Sequence, residues 1–282
     1  MPSMTAMTSA LAYWETLVRE DEHLPLFEAA LSIAQDEYPE VDLQQVLSSV
    51  DELAARLKSR FAADAPPAHK LRLLNHFFFN ELHFRANVND YYDTDNSYLN
   101  RVLERRCGIP ITLSAMYMEI GQQAGLPLKG IAFPGHFLVK MRLGEGTVIM
   151  DVFEGGKSLS REELEQRLEP YLAEQNVAAR EVLPLFLETA SARHILARML
   201  HNLKGIYQAD QDYSRLLPVL QRLVVLLPEH PVERRDRGLC YAELDCPRAA
   251  MEDLQAYLAM DPQAPDAESV RERMADLEKQ IN

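Results

Sequence analysis

RVLERRCGIPITLSAMYMEIGQQAGLPLKGIAFPGHFLVKM, residues 101–141, contains the change of period that decides the fold. Cys107-Gly108 breaks an incoming helix. Pro110 then suits the first turn of a new one, where its missing N–H removes no hydrogen bond. Leu113, Tyr117, Ile120 and Ala124 give that helix a buried face, and Gly125-Leu126-Pro127 ends it. From Lys129 the period shortens. Residues 129–133, 136–143 and 147–151 are rich in Val, Ile, Phe and Leu, with Gly144-Glu145-Gly146 as a turn between the last two. Three strands after a buried helix predict an α+β core, a mostly helical domain carrying a small antiparallel sheet.

Working upstream, the first hundred residues read as helices. Leu43, Val46, Leu47, Val50, Leu53, Ala54 and Leu57 fall on one helical stripe, with Tyr38-Pro39 closing the helix before it and Pro66-Pro67 ending it. Leu71, Leu74, Phe78 and Leu82 start another helix. The polar residues 86–96 form a loop, and Ser97 is placed to cap a short helix running to Arg106. Downstream, Ser160 and Glu163 have capping-box spacing ahead of Leu164 and Leu168.

From about residue 190 the chain repeats. Tyr207 and Tyr241, Leu217 and Met251, Leu220 and Leu254, Val224 and Leu258, Pro228 and Pro262, and Pro231 and Pro265 each share one offset of about 34 residues, the tetratricopeptide period. Gly238 and Ala250 stand where paired helices approach closely, and residues 267–281 read as a capping helix. The expected division is therefore a core with N-terminal helices over residues 1–188, and an all-α repeat module over 189–282.

Composition narrows the function classes. Lys and Arg number 29 against 43 Asp and Glu, a net charge of −14, which argues against nucleic acid or an anionic membrane as partner. The first 18 residues carry no Lys or Arg, so no secretory leader is read there. The longest apolar stretch, Leu216 to Leu227, is interrupted by Gln221 and Arg222 and does not read as a membrane span. Three cysteines make no disulfide framework, and none has zinc-site spacing, so a reducing, cytoplasmic setting without cofactor or metal is expected.

The quoted core, with NDYYDTDNSYLNRVLERR at 89–106, TVIMDVFEGG at 147–156 and RDRGLCYAELD at 235–245, resembles the bacterial family that joins a transglutaminase-like core to tetratricopeptide repeats, the invasion-regulator-homologue type. The resemblance covers roughly residues 20–280. It implies a sheet of transglutaminase or cysteine-protease-like type and a Cys–His–Asp triad. In such a triad a helix N-terminus and an imidazole activate the thiol, and a carboxylate orients the imidazole. His136 and Asp151 match the family's His and Asp positions.

The thiol does not match. Counting back from Gly125 places it near Pro110 or Ile111, whereas the nearby cysteine, Cys107, belongs to the incoming loop. Thr112 and Ser114 are hydroxyls in the first turns without an evident base. Pairing across a three-residue turn makes opposed residue numbers sum to about 290, which leaves His136 and Asp151 three positions out of register and calls for a bulge or a longer hairpin. In the repeats, Arg234, Arg235 and Arg237 form a basic group on a first helix. There they either hold a carboxylate-bearing protein or peptide or are neutralised by their acidic neighbours.

Two functions follow. One is an interaction or regulatory protein with a degenerate core and a partner-binding repeat module. The other is a cysteine acyl transferase, amidase or protease in which Cys107 attacks, His136 is the base and Asp151 orients it.

Overall fold

The computed structural model describes residues 4–174 and 177–281. Contacts divide the chain into two compact units. One comprises Pro25–Ala34 and Glu40–Ile195; the other takes the residues up to Leu24, Gln35–Pro39 and everything from Leu196.

The first unit is the α+β core. Asp42 opens helix Leu43–Lys58 by accepting the N–H of Gln45 at 3.1 Å, and Leu43, Val50, Leu53, Ala54 and Leu57 bury its stripe. Pro66-Pro67 does not end that helix, which already stops at Lys58. Pro67 instead occupies the first turn of the next helix, Pro67–Asn75, where its ring is tolerated. That helix loosens into a π-helical stretch, His76–Glu81, with the Leu82 N–H donating to Phe77 O at 2.9 Å.

Ser97 is not the cap expected of it. It lies in a short 3-10 turn, Thr94–Ser97, and helix Leu99–Arg105 starts from Tyr98 without a side-chain cap. The loop is pinned by buried Asn96 instead, whose Nδ2 donates to Asp90 O at 2.7 Å while its Oδ1 accepts from Asn87 Nδ2 at 3.0 Å. Helix Pro110–Gln123 starts at Pro110 as its sequence requires and is almost wholly buried. Thr112 works as backbone glue: its Oγ1 accepts the Ile109 N–H at 3.2 Å and donates to Asn96 O at 2.7 Å.

The sheet runs in sequence order through Leu128–Ile131, Leu138–Leu143, Gly146–Asp151 and Lys157–Ser158, every neighbour antiparallel. The hairpin is one residue tighter than expected. Leu143 faces Gly146 and Val139 faces Met150, so Gly144-Glu145 alone forms the turn. Gly144 takes a φ of +60° while Glu145 stays out of the left-handed region, as a II′ hairpin turn demands. Helix Arg161–Leu172 begins at the Ser160–Glu163 capping box and lays Leu164, Leu168 and Leu172 against Ile131, Phe133 and Leu138.

The second unit is all helical: among its described residues no strand occurs between 196 and 258. Helices Tyr213–Leu226, Pro231–Glu243, Pro247–Met260 and Ala267–Ile281 follow helix Ala192–Ala209, whose first residues lie in the other unit. Pro218 sits inside helix Tyr213–Leu226 without ending it.

The N-terminal residues depart from the expected division at 188 by joining this unit. Trp14 is fully buried, its Nε1 donates to Arg222 O at 3.2 Å, and the Arg222 guanidinium lies 5.1 Å from the indole centroid. Arg222, itself buried, is neutralised by Asp36 at 3.0 Å, which explains why residues 35–39 belong here too. Arg222 thus interrupts the apolar run of its helix as the buried anchor of the N-terminal helix Met4–Leu17.

A Cβ on Gly238 would stand 2.9 Å from Leu254 and 3.2 Å from Ala250 O. Gly238→Leu should therefore destabilise the protein by about 1–3 kcal/mol through overpacking, read from urea unfolding.

Helices Ala192–Ala209 and Pro231–Glu243 share an ion network around buried Glu233 and Lys204. Glu233 accepts from His201 at 2.8 Å and from Lys204 at 2.7 Å, and Lys204 also meets Asp236 at 2.6 Å. Burial pushes the Glu233 carboxyl up, but His201 and Lys204 outweigh it and hold it down at about 2. A depressed folded value means the stabilisation is complete above the ordinary value of 4.5 and is lost as the pH falls from there towards 2. Stability measured across that window should drop in the wild type and drop less in Glu233→Gln.

Candidate functional site

The site assembles where the sheet hands over to helix Arg161–Leu172. His136 lies outside the strand it was expected to open. It follows the turn Phe133-Pro134-Gly135, in which the His136 N–H donates to Phe133 O at 3.0 Å and Gly135 adopts a φ of +63°. Asp151 ends the strand Gly146–Asp151, paired with Lys157, and its side chain is fully buried.

The two side chains meet, with His136 Nε2 to Asp151 Oδ2 at 2.8 Å. No bulge is needed. The tighter hairpin brings Asp151 one place nearer, and His136, freed from the ladder, turns its ring onto the carboxylate.

Two further donors hold Asp151. The Glu154 N–H reaches Oδ1 at 3.1 Å, and Arg167 Nη1 donates to Oδ2 at 2.7 Å. Arg167 is itself tied down by Glu154 Oε1 at 3.0 Å. Burial alone would raise the Asp151 carboxyl. The bond and charge of His136, then Arg167, then the Glu154 N–H outweigh it and leave the group below its ordinary value, an anion at neutral pH. Arg167 and Glu154 were not legible as site residues, because Arg167 stands 16 positions beyond Asp151 on an amphipathic helix and carries no motif.

Aromatic rings border the imidazole. Phe153 stands edge-on at 6.0 Å from His136, Tyr91 at 6.3 Å from Phe153, and Tyr92 at 5.4 Å from Tyr91. Tyr91 and Tyr92 lie on the surface, 40% and 75% exposed, and so do not serve as core packing.

Cys107 lies in the two-residue strand Cys107–Gly108. It forms a two-residue parallel bridge with Arg85 in the strand entering helix Pro110–Gln123, it is buried, and no hydrogen bond joins it to His136 or Asp151 among the described residues. The first helical residues, Pro110 and Ile111, offer no nucleophile. Ser114 is buried rather than on the helix surface.

The repeat arginines are largely spoken for. Arg235 meets Asp236 at 2.7 Å and Asp266 at 2.8 Å, and Arg237 forks onto Asp253 at 2.6 and 2.7 Å. Arg234 is the least committed, 4.0 Å from Asp253 with its Nε unsatisfied. Among the described residues no three His, Cys, Asp or Glu side chains converge as a metal site. Nor is any described helix long and apolar enough to cross a membrane.

Comparison with known proteins places the molecule. Residues 44–201 match the family model of the transglutaminase-like superfamily, and residues 203–275 match a tetratricopeptide-repeat model. The chain is 37% identical over 268 residues to a UPF0162 protein of Xylella fastidiosa, covering 95% of each. It is 26% identical over 249 residues to a UPF0162 protein of Vibrio cholerae, covering 88% of this chain and 90% of the other. F-box only protein 21 of Pongo abelii is 30% identical over 204 residues, covering 68% of this chain and 31% of that protein. No solved structure matches. The chain belongs to the transglutaminase-like superfamily and, within it, to the UPF0162 family, and it carries tetratricopeptide repeats behind the core.

Asp151→Ala should destabilise the protein by about 2–3 kcal/mol, because it leaves Arg167 and His136 against an empty buried site. Asp151→Asn should cost less. Thermal unfolding at neutral pH separates the two.

Proposed function

We propose that this protein acts through protein–protein interaction, as a regulatory protein whose repeat unit receives a protein or peptide partner and whose transglutaminase-like core no longer performs acyl transfer. What supports the reading is that no hydrogen bond joins the Cys107 thiol to His136 among the described residues. A transferase of this kind needs a thiolate in hydrogen-bonding reach of the imidazole. Here His136 and Asp151 keep their bond, while Cys107 sits buried in the incoming strand without one.

On the repeats, the arginine with capacity left for a partner's carboxylate is Arg234; at Arg235 and Arg237 a peptide would have to displace Asp266 or Asp253. The tetratricopeptide match supports a protein or peptide partner, and three free cysteines support a reducing, cytoplasmic setting. The intact His136–Asp151 pair favours a second reading, a cysteine-dependent acyl transferase, amidase or protease in which a rearrangement brings Cys107 to the base.

Alkylation of the full chain by iodoacetamide, followed cysteine by cysteine, decides between them. Exposed Cys246 should react first and buried Cys107 slowly, at a rate that His136→Ala leaves unchanged. A Cys107 that reacts fastest near neutral pH, and slows tenfold or more in His136→Ala, would replace the interaction reading with the enzyme.

A further inference from the structure

Near the end of helix Leu43–Lys58 the core gathers arginines over two buried rings. The guanidinium carbons of Arg56 and Arg60 stand 5.5 and 4.8 Å from the centroid of Phe77, and that of Arg106 stands 4.8 Å from the centroid of Phe84. Phe84 stacks on Phe78, the residue beside Phe77, at 4.2 Å between centroids. The π-helical stretch His76–Glu81 contributes Phe77 and Glu81 to this group, and such stretches recur at functional sites.

The counter-ions do not match the cations. Arg60 forks onto both oxygens of Glu81, with Nη2 at 2.7 Å from Oε2, so that pair is neutral in itself. His76 also lies 3.6 Å from Glu81. Among the described residues no carboxylate pairs with Arg56 or Arg106. Three guanidinium charges against one carboxylate leave two positive charges uncompensated.

Arg106 differs from its neighbours in sequence. Arg101 meets Asp95 at 3.1 Å and Arg105 meets Asp93 at 2.7 Å. Arg106 ends their helix with a φ of +53° and takes up neither acid, and its Nη1 is buried with no hydrogen-bond partner. Burial, and then the charge of Arg56, push this guanidinium below its ordinary value.

We propose that Arg56 and Arg106 bind a phosphoryl group, as inorganic phosphate or a small phosphate monoester, beside the Arg60–Glu81 pair. A phosphoryl dianion carries a charge of about −2, which balances both arginines, whereas a carboxylate would leave one unopposed. Its oxygens accept the forked donors of a guanidinium, and the unpartnered Nη1 of Arg106 is such a donor. Phe77 and Phe84 are buried under the guanidinium groups, so neither ring is open to stack a nucleobase, which favours a small ligand. The negative end of helix Leu43–Lys58 accounts for a basic residue in its own last turn, but not for a second arginine brought against it from the end of another helix. The site lies wholly in the core unit, and its failure would leave the interaction reading of the repeats untouched.

Calorimetric titration of the full chain with inorganic phosphate, and separately with glycerol 3-phosphate, tests the site at about pH 8, where both are largely dianions. At constant ionic strength each should bind saturably, and acetate should bind at least about tenfold more weakly. Tighter binding of glycerol 3-phosphate assigns the ester as the ligand; equal binding assigns the phosphoryl group alone. Arg56→Gln and Arg106→Gln should each weaken binding about tenfold or more. Arg248→Gln removes the same charge from an exposed position on the repeats and should leave binding unchanged. No saturable binding of either compound up to about 20 mM overturns the proposal, as does binding that survives both core substitutions. Should Arg106→Gln not fold, Arg56→Gln, at an exposed position, carries the same test.

Discussion

The buried carboxylate of Asp151 is the constraint around which the core's functional end is organised. An anion removed from water must find its full set of donors inside the protein, or it protonates. Asp151 finds three, each from a different piece of chain: the ring of His136 after the Phe133 turn, the backbone of Glu154 after its own strand, and Arg167 from the following helix. Moving any of these elements would leave a charge unpaired. The turn, the strand end and the helix are therefore fixed relative to one another by electrostatics as well as by the apolar contact of Leu164, Leu168 and Leu172 with the sheet.

The same economy appears in the helical unit with other residues. Arg222 is buried between Trp14 and Asp36, and Glu233 between His201 and Lys204. Arg235, Asp236 and Asp266 extend the chain of charges along the repeats. An acidic protein has carboxylates in excess, and Arg222, Arg235 and Arg237 each meet one inside this unit. Arg234 is held less closely, 4.0 Å from Asp253.

At the core, His136 and Asp151 are bonded to each other. The strand carrying Cys107 is held by its parallel bridge to Arg85, and the start of the buried helix is locked by Thr112 on Asn96. Beyond Phe153, the Asn96-pinned loop displays Tyr91 and Tyr92 to solvent.

What the sequence determined by itself is local. The period of Leu43–Leu57, the proline and glycines bracketing residues 110–125, the Ser160–Glu163 cap and the 34-residue spacing of the repeats each follow from steric or hydrogen-bonding rules acting within a few turns of chain. The pairing of His136 with Asp151 was legible only through a family pattern, since counting along an ideal hairpin set them three places apart. What the tertiary structure decided is long-range. Trp14 joins Arg222 across 208 positions, Arg222 joins Asp36 across 186, and Arg167 closes on Asp151 from a helix whose own pattern shows only its apolar face. Such contacts answer the need of a buried charge or ring for a partner, and that need does not specify which distant residue will meet it.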